Sequence, residues 1–163
     1  MTFTQSNDEA INQAVKTFQG LDVDEQLGLF YFIYKEMGGA ITPAAPGAST
    51  VGTDIAEGLF NQVKEMSHEQ QLQFQRDLIN KADTQYTRMY GSMSDTTKLL
   101  VWYRLAQGMD SATIIPMPSD YKISSQAEEL LNQIKGLAFQ QQITLFRDYV
   151  SPMGAEAKPG AEI

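Results

Sequence analysis

Between Leu27 and Met37, apolar and aromatic residues recur at helical spacing on two faces at once. Leu27, Phe30, Tyr31, Tyr34 and Met37 form one stripe, and Leu29, Phe32 and Ile33 cover much of the other side. The crowding returns in Leu99, Leu100, Val101, Trp102, Tyr103, Leu105, Ala106 and Met109, and again in Ile143, Leu145, Phe146, Tyr149 and Val150. A helix apolar nearly all round must be buried nearly all round. A chain of 163 residues has room for few fully central helices. Three of them point to a pocket or groove between bundles, filled by something apolar; the alternative is a solid core rich in aromatics. Tyrosine and tryptophan offer rigid faces with one polar tip, and eight methionines offer adaptable lining.

Helix start signals punctuate the rest. Asp22 with Glu25, Ser67 with Gln70, and Ser125 with Glu128 fit an N-cap followed three residues later by Glu or Gln, and Ser94 fits a further cap. Gly38-Gly39, Gly91, Gly108 and Gly154 fall near plausible helix ends, although Gly108 also fits inside a longer helix. The pattern predicts helices over 7–19, 23–38, 53–66, 68–81, 84–91, 95–111, 126–135 and 139–152. No stretch alternates as a strand does, so the class is all-α. The loop Thr42 to Ser49 is built of small residues and two prolines. The segment Ile114 to Tyr121 is apolar for a loop, so it must cover the core, a ligand or a partner. A faint repeat aligns Leu27, Leu72 and Ile143, bringing Gln26, Gln71 and Gln142 into register with Leu21, Met66 and Leu137 upstream. Related helix units would produce this, and so would helical periodicity alone.

Charge and chemistry narrow the function. A net charge of -8 argues against nucleic acid. Residues 76–104 are locally basic: Arg76, Lys81, Arg88, Lys98 and Arg104 stand against Asp77, Asp83 and Asp95. Such a patch either docks an acidic partner or is a solvated face of scattered charges. The apolar runs Leu29–Tyr34 and Leu99–Tyr103 fall far short of the roughly 20 residues of a membrane span. The start, Met1 to Asp8, does not read as a signal peptide, which predicts a cytosol-like compartment. With no cysteine, thiol catalysis and zinc-thiolate sites are excluded. His68, the single histidine, follows the Ser67 cap without a nucleophile or orienting carboxylate at a suggestive spacing. No metal-ligand array and no phosphate-binding glycine loop is visible, so no catalytic apparatus is expected.

Taken in order, several segments resemble the N-terminal domain of the orange carotenoid protein. They are Glu25-Gln26-Leu27 leading to Tyr34-Lys35-Glu36-Met37-Gly38, Ala44-Ala45-Pro46-Gly47-Ala48, and Lys81-Ala82-Asp83-Thr84. Lys98-Leu99-Leu100-Val101-Trp102-Tyr103, Met109-Asp110, and Pro116-Met117-Pro118 running to Tyr121 follow. Gln141-Gln142-Ile143-Thr144, Arg147 and Met153-Gly154 complete the set. The match spans nearly the whole chain, and its specificity lies in the order rather than in any one segment. Because the chain stops at Ile163, it looks like a stand-alone helical carotenoid protein, with 1–154 as the binding domain and 155–163 as a short flexible linker remnant.

The resemblance implies two interleaved four-helix bundles with a ketocarotenoid, canthaxanthin- or echinenone-like, held in an apolar tunnel between them. By position, the family's lining carries over to Leu27, Phe30, Tyr31, Tyr34, Leu99, Trp102, Tyr103, Ala106, Met109, Met117, Pro118, Tyr121, Ile143, Arg147 and Val150. It implies photoprotection by quenching singlet oxygen or excited pigment, in a cytoplasmic protein near phycobilisomes at the thylakoid surface. The partners it suggests are the phycobilisome and a separate carrier resembling the family's second domain. The protein itself is expected to be a monomer or weak dimer. Family resemblance also allows a chloride, which no motif here places. Two other functions stay open: a constitutive phycobilisome-docking quencher, and a general lipophile carrier without pigment. Tyr31 departs from the family pattern, which has tryptophan there, so weaker ring stacking is expected. Arg147 matches an arginine that bridges to the second domain in two-domain relatives; here it is expected to be a surface ion-pair partner or a polar guard at the tunnel mouth.

Overall fold

The capping signals do their work where the sequence puts them. In the computed structural model, Ser67 accepts from the Gln70 amide and the Gln70 side chain returns the bond to the Ser67 N–H, closing a capping box. Asp22 Oδ1 accepts from the Glu25 N–H at 2.9 Å, and Ser94 Oγ from the Thr97 N–H. The structure describes residues 9–41, 50–118 and 120–155, with side chains for 9–37 and from 55 onward in that set. Among the described residues there are eight helices and no strand: α1 (Glu9–Gly20), α2 (Val23–Ile41), α3 (Thr50–Lys64), α4 (His68–Asn80), α5 (Gln85–Gly91), α6 (Asp95–Ser111), α7 (Ser125–Lys135) and α8 (Phe139–Val150).

Three local expectations shift. The cap of α7 is Ser124, not Ser125: its Oγ accepts from the Ala127 N–H while Ser125 stands exposed as the first helical residue. The backbone of α2 runs through Gly38-Gly39 to Ile41 instead of stopping there. Gly108 lies inside α6, as its alternative placement allowed, where a β-carbon would stand 2.5 Å from Ile114 Cγ1. The two-proline loop and the tail beyond Ala155 lie outside the described residues.

Two groups of four helices assemble from a chain that leaves the first group and returns to it. Helices α1, α2, α7 and α8 pack together, with α1 against α7 and α8, and α2 against α7. Helices α3, α4, α5 and α6 form the second group. Contacts of α2 with α4 and α6, and of α6 with α8, join the two. The three helices singled out as too apolar for one exposed face, α2, α6 and α8, are therefore the ones at the seam. Contact on both sides explains their composition: α6 buries Thr97, Lys98, Val101, Trp102, Leu105, Ala106 and Gly108 over one half of its circumference and keeps Leu99, Leu100 and Tyr103 half-buried on the other.

The faint repeat has a physical basis. Buried Gln26, Gln71 and Gln142 each donate their side-chain amide to a carbonyl at or beyond the end of the preceding helix: Leu21 O at 2.9 Å, Val63 O at 3.2 Å and Ile134 O at 2.9 Å. Helix ends leave carbonyls without intrahelical partners. One glutamine at the fourth position of the next helix donates to one of these end carbonyls and ties the pair into a hairpin. After α8 the chain crosses to the second bundle. Lys98 Nζ donates to Ser151 O at 2.7 Å, and Gly154, at φ +82°, donates to Leu78 O at 2.8 Å. Buried Ala155 donates to Thr87 O at 3.1 Å.

Candidate functional site

Along the seam, apolar residues from both bundles face each other across two clefts. The first, a narrow cleft of about 40 Å³, is lined by Phe30, Ile33 and Tyr34 of α2, Leu99, Trp102, Tyr103 and Ala106 of α6, and Phe146 of α8. The second, about 210 Å³, lies further toward the start of α2 and the end of α6. Leu27 and Gly28, Leu72, Gln75 and Arg76 of α4, Met109, and the segment Ile115 to Pro118 with Tyr121 form its walls. The clefts follow one another because α2 and α6 line both: Leu27 leads to Phe30 and Tyr34, and Met109 leads back to Ala106 and Leu99. Their linings are mostly apolar with few polar groups, as in small-molecule sites, but both are narrower than the roughly 300–1,000 Å³ that such sites span.

Aromatic rings shape the first cleft. Phe30 and Trp102 lie 4.7 Å apart with a 33° tilt, and Tyr34 meets Tyr103 edge-on at 5.5 Å. Trp102 is fixed from behind: its Nε1 donates to Tyr90 Oη at 3.0 Å, and Tyr90 donates to Val150 O at 2.8 Å. One indole thus joins the cleft wall to a chain of buried hydrogen bonds. Tyr34 keeps its proton well into the alkaline range, chiefly through burial and then through Tyr103 and Asp110.

The apolar loop covers the second cleft, as its composition requires. Gln71 holds it there, accepting from the Ile115 N–H at 2.7 Å and donating to Thr113 O at 3.3 Å. Tyr121 lies so close to α2 that a β-carbon on Gly28 would stand 2.6 Å from its ring. Its hydroxyl donates to Asp24 O at 3.3 Å. Burial first, then the charges of Glu25, Asp22 and Asp24, raise the Tyr121 pKa. Arg76 grips the Asp24 carboxylate through Nε and Nη2, both at 3.0 Å, and ties α4 to α2 at the mouth.

Eleven of the fifteen expected lining residues lie in these walls: Phe30, Tyr34, Leu99, Trp102, Tyr103 and Ala106 in the first cleft, and Leu27, Met109, Met117, Pro118 and Tyr121 in the second. Tyr31, Ile143, Arg147 and Val150 do not. The Tyr31 hydroxyl points to Asp110 Oδ1 at 3.4 Å, beside the Lys35–Asp110 ion pair, and its ring meets Phe32 edge-on. Ile143 and Val150 are core. Arg147, on α8 next to Phe146, has a buried Nε without a hydrogen-bond partner among the described residues. Sequence reasoning missed Gly28, Ile33, Leu72, Gln75, Arg76, Ile115, Pro116 and Phe146. Gln75 was detectable in principle, since Gln71, Phe74, Gln75 and Leu78 fall on one helical face and all are buried.

The basic segment is largely neutralised within the molecule. Arg76 pairs with Asp24, Arg88 with Asp83 and Arg104 with Glu57, while Lys98 is buried against Ser151 O and the Tyr90 ring. Among the described residues no three His, Cys, Asp or Glu side chains gather as a metal site, and no helix is long and apolar enough to cross a membrane.

The family model for the orange carotenoid protein N-terminal region matches residues 4–156. The chain is 46% identical over 148 residues to an orange carotenoid-binding domain-containing protein of Nostoc sp., covering 91% of this chain and 85% of that protein. It is 38% identical over 156 residues to the orange carotenoid-binding protein of Synechocystis sp., covering 95% of this chain but only 49% of that longer relative. The solved structure of the Red Carotenoid Protein of Anabaena (Nostoc) sp. PCC 7120 binding canthaxanthin superposes with a TM-score of 0.80 at 66% identity, covering 90% of this chain and 99% of that one.

Proposed function

The chain belongs to the family of the orange carotenoid protein N-terminal domain, and on that premise we propose that it binds a ketocarotenoid non-covalently along the seam between its bundles, for photoprotection. The observation that carries this is the pair of apolar clefts following one another along α2 and α6. A polyene is long, rigid and apolar, so it needs an extended slot more than a compact pocket. Its affinity comes from burial: each 100 Å² of apolar surface removed from water contributes roughly 2.5 kcal/mol. Phe30, Tyr34, Trp102 and Tyr103 supply faces for the conjugated chain, and Met109 and Met117 adapt to the ring. The 66%-identical neighbour binds canthaxanthin, which supports a ligand of this class.

Quenching of singlet oxygen or excitation is then the pigment's photophysics, and the protein binds, orients and shields it. It is a binding protein in this reading, with no reaction of its own, and it works in the cytoplasm as a monomer or weak dimer. The binding domain extends at least through Ala155, one residue past the expected boundary at 154, because that residue is buried and its N–H donates to Thr87 O. A separate carrier resembling the second half of the longer relatives is a further partner in this reading; the match covers 49% of the Synechocystis relative. Docking to a phycobilisome through the basic segment has weaker support, since most of its cations are already paired. No set of described residues favours a chloride site.

Production in a carotenoid-making host tests the proposal. The purified protein should be coloured, with about one ketocarotenoid per chain, and should quench singlet oxygen faster than the colourless form. Folded protein that emerges from that host without pigment overturns it.

A further inference from the structure

Four glutamines are buried among the described residues, and three have clear duties. Gln26, Gln71 and Gln142 each donate to a carbonyl of the preceding hairpin arm. Gln75 is the exception. It is 2% exposed and lines the second cleft among Leu27, Leu72, Met109 and Ile115, and its amide makes none of the side-chain hydrogen bonds found among the described residues. A ligand that fills the cleft seals this amide from water, and an amide sealed off without a partner is costly. A hydrocarbon end there leaves the amide unmet, whereas a carbonyl or hydroxyl oxygen satisfies its N–H.

Resting on carotenoid binding as proposed above, we propose that Gln75 is a specificity-determining residue that donates a hydrogen bond to a ring oxygen of the ligand seated in the second cleft. The loop makes this possible. Met117 and Tyr121 close the cleft over the ring and Gly28 lets Tyr121 approach, so the bond forms where water is scarce and the amide counts for most. A site built to hydrogen-bond an oxygen rejects the analogue that lacks it more strongly than an apolar pocket rejects a change in shape.

The test loads the full chain from an equimolar mixture of canthaxanthin, with a keto group on each ring, and β-carotene, with none. Wild type should favour canthaxanthin by about tenfold more than Gln75→Met does, the ratio that one ordinary amide–carbonyl bond supplies. The carbonyl stretch of bound canthaxanthin should lie below its position in hydrocarbon solvent in wild type and return toward it in Gln75→Met. Wild-type protein carries the second readout alone if the variant does not fold. An unchanged preference in Gln75→Met, or an unshifted carbonyl stretch in wild type, overturns the role of Gln75 while leaving carotenoid binding intact. Wild type that takes up neither pigment overturns the parent proposal instead.

Discussion

Tyr90 and Trp102 show how single residues tie the cleft to the core. Tyr90 is wholly buried, accepts from the indole and donates to Val150 O. Tyr90→Phe keeps the ring but strands the Trp102 indole N–H and leaves Val150 O with the Met153 N–H alone, so unfolding by urea should show a loss of about 1–3 kcal/mol. Burial also raises the pKa of Tyr90 well above 10.0, and that of Tyr149 likewise. Each phenol therefore stays neutral in the folded chain at a pH where the unfolded chain ionises. Their stabilisation is complete below the unfolded pKa, near 10, and is lost as pH rises above it toward the folded values. Stability measured by urea should thus be flat from pH 8 to 9.5 on their account and fall above about 10, less steeply in Tyr90→Phe. The aromatic stripes on α2 and α6 were legible because helical spacing is written in the residues. Tyr31 was only half legible: its place on the stripe is clear from spacing, but its turn toward Asp110 depends on a residue 79 positions away. Gln75 was overlooked because glutamine within a helix usually reads as solvated.

At the level of elements, side chains that satisfy helix termini organise the chain. The starts of α4 and α6 followed from Ser67 and Ser94 alone. The cap of α7 did not, because Ser124 and Ser125 both fit and only geometry chooses between them. Ser124 also donates to the Glu25 carboxylate, joining α7 to α2. Ser124→Ala should cost about 1 kcal/mol in urea unfolding, and Ser125→Ala should be nearly neutral; equal effects would place the cap elsewhere. The box at Thr84, closed by Thr87, was invisible because threonine replaces the Glu or Gln that marks the motif. The repeated glutamine shows the opposite case, a weak sequence signal with a definite cause in three hairpins.

Across the whole molecule, the path of the chain creates the site. The first two and last two helices form one bundle and the middle four another, and the two share one continuous core, so the most apolar helices meet at the seam. The all-α class and this interleaving were legible, the first from periodicity and the second from the resemblance. The division of the seam into two clefts was not, because it depends on how the loop 114–121 folds back over α2 and α4. A crystal structure of the pigmented protein tests the central claim most directly. Continuous polyene density should run along α2 and α6, beside Trp102 at one part of its length and under Met117 and Tyr121 at one end. Pigment bound on the outer surface, with Phe30 and Trp102 still packed together and both clefts unoccupied, would contradict the account.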